Sequence, residues 1–298
     1  MRVQQGANTG NFTTWLLELS YDSNWHGQIK LPPFIRTVND LTALCNFVYP
    51  PELFLQAHLQ HTTFQNRAIL APHNDTVGEF NLHLLQMIQG QLHSFYAEDT
   101  VDVNNAEAGI DHLPVEYLQS LNPASLPPSH LQLRVGAPII LLRNLDPKQG
   151  LCNGTRMVVT RLGQRCIEVV SLTGQYTGIY TILTIICILT INNTGVPKLL
   201  PRIPLSTTEG ELPFILTRKQ FPIRLCFAMT INKAQGQSLD VVGVDLRIPV
   251  FTHGQLYVAL SRATNVDCLV VLQPDTAGIV AATTNIVYPE VLLHVHNT

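Results

Sequence analysis

Residues 227–246, FAMTINKAQGQSLDVVGVDL, and 252–272, THGQLYVALSRATNVDCLVVL, decide the fold. They hold a Gln-Gly loop, an apolar strand, a helix and a second apolar strand. Thr252 opens a T-x-x-Q pattern with Gln255, which predicts a capping box, and Leu256, Ala259, Leu260 and Ala263 follow at helical spacing. With IRLCFAM as a strand before the loop, the order strand, loop, strand, helix, strand predicts a three-layer α/β unit with a largely parallel sheet.

Working outward, Arg67–Pro72 (RAILAP) reads as a buried strand. Asn74 or Asp75 can cap the helix after it, where Val77, Phe80, Leu84 and Met87 lie near helical spacing before Gly90. Upstream, WLLELS and LTALCNFVYPPELFLQAHL are two helical apolar patterns separated by a stretch containing LPPF. They read as the end of something, with Met1 a truncated start, or else as a short N-terminal helical layer. Downstream, LPVEYLQSLNPASLPPS marks an irregular, Pro-rich connection around one short helix and the place for a domain boundary. LQLRVGAPIILLRN, GTRMVVTRLG and RCIEVVSLTG are then short β-rich runs punctuated by Gly and Asn-Gly, the pattern of a small antiparallel barrel or meander inserted into the α/β unit. The expected divisions are 1–62, 63–110, 111–222 and 223–298.

The 298 residues are 46% hydrophobic, which supplies real cores for one large domain or two ordinary ones, and only 13% charged. A net charge of −3 argues against nucleic-acid binding by bulk charge alone. The charges are nevertheless segregated. Glu79 to Glu116 is acidic with no Lys or Arg, whereas Arg134, Arg143, Lys148, Arg156, Arg161 and Arg165 are opposed only by Asp146. That basic cluster is either a phosphate-facing surface or a solvated strand face. The six cysteines contain no CxxC, which argues against a disulfide framework or zinc ribbon. His58/His61 and His294/His296 lack companions at ligand spacing, so no metal ligand is assigned. The uncharged run 169–197 contains IYTILTIICILTI, too short for a membrane span of about 20 apolar residues. It predicts a buried or aggregation-prone strand, and no membrane association is expected.

Two sets of residues can carry chemistry. In TINKAQGQS, Gly236 permits close approach of a backbone, while Thr230, Asn232, Gln235, Gln237 and Ser238 offer neutral hydrogen-bonding groups and Lys233 a charge. Such a loop can grip a sugar-phosphate chain without reading bases, or it can be an ordinary helix N-terminus. Arg262, at the end of the apolar helix, is placed either for an ion pair or for stabilising charge on a transferring phosphoryl group across an interface.

Taken together, RAILAPHND, LPVEYLQSLNPASLPPSHLQLRVGAPIILLRNLDPKQGLCNGTRMVV, PRIPL, FPIRLCFAMTINKAQGQSLDVVGVDL and HGQLYVALSRATNVDCLVVL resemble the C-terminal half of Pif-family DNA helicases. The version carried by Helitron transposons is especially similar, and the likeness runs from about Arg67 to Leu272. It implies superfamily-one parts: a RecA-like second lobe, called 2A, with a mostly parallel sheet, interrupted by a small SH3-like β-barrel called 2B. Residues 1–62 would then be a helical remnant of the end of the first lobe, 63–110 and 223–298 the 2A lobe, and 111–222 the 2B insertion. The resemblance assigns Arg262 as the arginine finger toward the ATP γ-phosphate. It places Gln235 and Gly236 at the nucleotide, and Thr230, Asn232, Lys233, Gln235 and Ser238 on single-stranded or forked DNA. ATP with Mg²⁺ is the implied cofactor pair and 5′-to-3′ unwinding the implied activity; DNA as substrate gives nuclear residence as the expectation, although no basic localisation run is present.

Two departures from the family pattern follow. No G-x-x-x-x-G-K-[ST] is present, none of the five lysines follows a glycine, and no Asp-Glu pair ends an apolar run. Half of an ATP site is therefore expected to lie outside the chain, in a first lobe supplied upstream or in trans, and the chain alone is expected not to hydrolyse ATP. Residues 179–197 read as an atypical apolar insert in the 2B region, such as translated intron. The alternatives to an incomplete helicase are a non-catalytic single-stranded DNA-binding module and an inactive transposon remnant.

Overall fold

Apolar runs without polar alternation are stable in a sheet only when both of its faces are covered, and AILA, VVGV and LVVL meet that condition. The computed structural model describes residues 9–57, 62–101, 113–172, 198–274 and 282–288. In it the strands Ala228–Thr230, Arg67–Ala71, Val241–Asp245, Leu269–Leu272 and Arg36–Val38 lie side by side in that order, every neighbouring pair parallel. This sheet organises one of two units, made of the described residues up to Leu53, Asn66–Leu84 and those from Phe227 onward.

Helix Leu41–Val48 covers one face of the sheet. Asp40 caps it, accepting from the Ala43 N–H at 2.9 Å, and Leu44, Cys45 and Val48 are buried beneath it. Its approach depends on Gly243 in the central strand. A Cβ there would stand 2.7 Å from Leu44 Cδ1 and 2.8 Å from Val48 Cγ2. The next residue, Tyr49, donates its hydroxyl to the Phe227 carbonyl at 2.7 Å and fastens the helix to the start of the edge strand. That edge is closed by a side chain. Asn81, on helix Asn74–Met87, donates to the Ala228 carbonyl at 3.0 Å and accepts from the Ala228 N–H at 2.9 Å.

The N-terminal segment is not wholly helical. Residues 1–62 were expected to be helical, as a remnant of a first lobe's end or as a short N-terminal layer, yet Arg36–Val38 is the outer strand of this sheet, in register with Val270–Leu272. Helix Thr9–Tyr21 buries Phe12, Trp15, Leu16 and Leu19, a single helical stripe. Nearby, Asn285 donates to the carbonyls of Leu19 and Trp25, and its strand Thr283–Asn285 pairs with Gly27–Ile29.

The second unit comprises Phe54–Gln65 and Leu85–Cys226 in its described parts, so its limits depart from the expected 111–222 at both ends. The β-rich runs form an antiparallel ladder of five strands, ordered Lys198–Pro201, Cys166–Ser171, Arg156–Leu162, Pro138–Leu141 and Ile223–Leu225. Alternate residues of these strands, among them Ile139, Leu141, Met157, Val159, Ile167 and Val169, share a core with Leu131 and Leu133. Those two belong to a separate pair of strands, His93–Tyr96 and His130–Leu133. Among the described residues no pairing joins the two outer strands of the ladder.

A further antiparallel sheet orders Ile203–Ser206, Leu216–Gln220 and Glu98–Val101. Arg218 on its central strand explains the Pro-rich connection. Its guanidinium is 0% exposed, makes two 2.8 Å bonds to the equally buried Asp99 carboxylate, and donates to the carbonyls of Leu118, Leu121 and Pro127. Arg224 donates to the carbonyls of Pro123 and Leu126. The expected domain boundary is therefore an internal loop, its carbonyls satisfied by two arginines. The apolar insert 179–197 lies outside the described residues, as do His58/His61 and His294/His296.

Candidate functional site

The loop after the edge strand begins at Thr230, the C-terminal residue of Ala228–Thr230. A short 3₁₀ turn, Ile231–Ala234, follows because Ile231 and Ala234 are buried at a spacing of three. Anchoring those two apolar positions turns Asn232 and Lys233 outward, and Gln235, Gly236 and Ser238 are exposed as well. Gly236 has φ +82°, with no atom within 4 Å of the Cβ a side chain would add. Its conformational freedom, rather than a close approach, is what this turn uses. Five of the six residues assigned to DNA or nucleotide on this loop are thus brought together on one exposed turn, with Thr230 half-buried at the strand end before it.

The loop is joined by backbone bonds to the segment after helix Gln255–Leu260. Leu239 N–H donates to the Arg262 carbonyl at 3.0 Å, and Thr264 N–H returns a bond to the Leu239 carbonyl at 3.2 Å. The Arg262 side chain adds a third connection, from Nη1 to the Gln237 carbonyl at 2.9 Å. Its Nε donates to the Val258 carbonyl and its Nη2 to Ser261 Oγ, each at 2.9 Å. Three of five guanidinium N–H groups are engaged, and the other two have no partner among the described residues. Burial draws the Arg262 pKa below the ordinary arginine value, with Tyr257 opposing that shift.

Arg262 borders an open cleft of about 460 Å³ whose lining also includes Gly236, Ser238, Tyr257, Ser261 and Thr264. Of the residues expected at nucleotide, Gly236 and Arg262 line it. Gln235 does not, and Ser238, expected on DNA, does. The lining offers one guanidinium, hydroxyls and no carboxylate, a set that suits an anionic, phosphate-like group. It offers Mg²⁺ no carboxylate, the side-chain group through which proteins usually hold that ion. Among the described residues, no three His, Cys, Asp or Glu side chains gather as a metal site. Tyr257, Ser261 and Thr264 escaped sequence reasoning, although 257 and 261 are one helical turn apart on the face that precedes Arg262.

Two expectations require correction. The T-x-x-Q capping box does not form: Gly254, at φ +68°, occupies the N-cap, and Gln255 Oε1 accepts from the Phe251 N–H at 3.0 Å. The apolar stripe of that helix is present, with Leu256, Ala259, Leu260 and Ala263 buried. The basic cluster, for its part, does not share one surface. Arg156 is 1% exposed and Arg134 donates to the carbonyls of Gln86 and Ile88, while Arg161 and Arg165 are exposed.

Comparison with known proteins places these features. Residues 116–162 match the family model described as DNA helicase Pif1, 2B domain. Over 232 residues the chain is 33% identical to the human ATP-dependent DNA helicase PIF1, covering 76% of this chain and 30% of that protein. A 64-residue stretch is 52% identical to the ATP-dependent DNA helicase RRM3 of Saccharomyces cerevisiae, covering 22% of this chain and 9% of that one. The chain thus spans less than a third of the length of the curated relatives it matches. Among solved structures, the Pif1 helicase from Candida albicans superimposes with a TM-score of 0.55 at 20% identity, over 99% of this chain and 59% of that one, which shows a common fold.

Proposed function

We propose, for a chain that carries a Pif1-family helicase segment, the role of second lobe and 2B insertion in ATP-driven, 5′-to-3′ unwinding of DNA. The sheet unit is the RecA-like 2A lobe, and the antiparallel unit is an SH3-like 2B barrel. The observation that carries this role is the joining of Thr230–Leu239 to the Arg262–Thr264 segment by three bonds, two of them made by Arg262. A shift of the loop against a single-stranded DNA backbone cannot leave the arginine unmoved, and the reverse also holds. Thr230, Asn232, Lys233 and Gln235 hold the strand. Arg262 directs its remaining N–H groups to the nucleotide phosphate, with Gly236 and the hydroxyls of Ser238, Ser261 and Thr264 completing the wall.

ATP supplies the phosphoryl group, and its β and γ phosphates need a phosphate loop and carboxylates that this sequence does not contain. Mg²⁺ would be held by nucleotide and by a first lobe, upstream or in trans. No described helix is long and apolar enough to cross a membrane, and DNA as substrate favours nuclear residence. The missing phosphate loop also favours a second reading, a module that holds single-stranded DNA without turnover. Phosphate release by the purified chain tests the division of labour. Background rates with and without oligodeoxythymidine are expected, and strand-stimulated hydrolysis well above background would refute it.

A further inference from the structure

We infer that the ring pair His73–Phe251 is a base-stacking site for single-stranded DNA, next to the Thr230–Ser238 loop; this rests on the strand-binding role proposed above. His73 follows the C-terminal end of strand Arg67–Ala71, and Phe251 lies in the segment after strand Val241–Asp245. Thr230 ends the third of these three adjacent parallel strands. In open parallel sheets, the crevice outside the carboxyl ends of the strands is where ligands bind.

The two rings are 4.9 Å apart and tilted by 30°, and Phe251 is 50% exposed although it is a large apolar side chain. A half-exposed phenylalanine held against an imidazole offers apolar ring surface at small ordering cost. Two observations fix its place. Arg247, whose guanidinium binds the Asp245 carboxylate at 2.7 Å, pins the chain just after the strand. Gln255 then ties Phe251 to the loop: Oε1 accepts from the Phe251 N–H at 3.0 Å, and Nε2 lies 3.5 Å from Asn232 Oδ1. Asn232 and Lys233 serve the phosphates, while Phe251 takes the face of a neighbouring base. Because every base presents a π-face, the site is sequence-tolerant.

The test is fluorescence anisotropy with labelled oligodeoxythymidine and with an abasic oligomer of equal length. Phe251→Ala should weaken binding of the thymidine strand by about 5- to 150-fold, the range found on losing one stacked base. It should leave the abasic strand within about twofold, because phosphate contacts are unchanged. Phe251→Trp should restore binding, and its indole emission should be quenched by the thymidine strand. Unaltered thymidine binding by Phe251→Ala, or equal loss on both strands, overturns the stacking site while the strand-binding role stands. Failure of the unsubstituted chain to bind either strand overturns both.

Discussion

Arg218 in the antiparallel unit and Arg262 in the sheet unit are the same side chain put to opposite uses. All five guanidinium N–H groups of Arg218 are spent, two on Asp99 and three on the carbonyls of Leu118, Leu121 and Pro127. Arg262 spends three and borders a cleft. A fully saturated, fully buried arginine can only hold its loop. One with donors to spare, fixed by backbone carbonyls, is held ready for an anion. Charge alone does not separate the two, whereas the accounting of N–H groups does.

The largest effect that sharpens this contrast is Arg218→Ala, which strands the Asp99 carboxylate in an apolar setting. Breaking a buried pair in this way costs about 3–5 kcal/mol, and urea unfolding should show it as a large fall in midpoint or outright loss of the antiparallel unit. A second test lies in the sheet unit, at Gly243→Ala. The added methyl meets Leu44 and Val48 at 2.7 and 2.8 Å, and overpacking of this kind costs about 1–3 kcal/mol. Asp40→Ala, which removes the cap on the same helix, should cost about 1 kcal/mol by the same measurement.

Arg262→Ala should cost less stability than Arg218→Ala, because it strands no buried carboxylate, and leave single-stranded DNA affinity within about twofold. In an enzyme completed by a first lobe, it should lower ATP turnover by about 10³-fold or more. Equal loss of DNA binding and turnover would break the distinction between the two arginines. The smallest effect belongs to Lys219→Ala. Lys219 and Glu98 are 51% and 66% exposed, one residue along from Arg218 and Asp99. Removing that pair should leave the unfolding midpoint unchanged, because solvent screens it.

Apolar patterning made most of the sheet unit legible. RAILA, VVGV, LVVL and the Leu256, Ala259, Leu260, Ala263 stripe all form the elements their spacing predicts. Arg36–Val38 was not legible, because a three-residue outer strand with two exposed positions has no periodicity to read. It exists through its pairing with Val270–Leu272. The roles of the arginines were hidden for a related reason. Arg218 and Asp99 are 119 residues apart in sequence, and Arg156, which counted as part of a basic surface, is buried. At the candidate site, the exposed turn was legible because a Gly flanked by polar residues announces it. Its attachment to Arg262 runs through backbone groups of Leu239 and Thr264, which side-chain identity does not reveal.

The strand-binding role proposed for the Thr230–Ser238 loop requires it to grip a single-stranded DNA backbone. The most direct measurement is the affinity for labelled oligodeoxythymidine as a function of salt, for the unsubstituted chain and for Lys233→Ala. Each neutralised phosphate contributes about 0.7 to the slope of log affinity against log salt on single strands. Loss of Lys233 should therefore reduce that slope by about 0.7 and weaken binding at low salt. An unchanged slope and affinity would refute that role for Lys233 and move the DNA contact elsewhere.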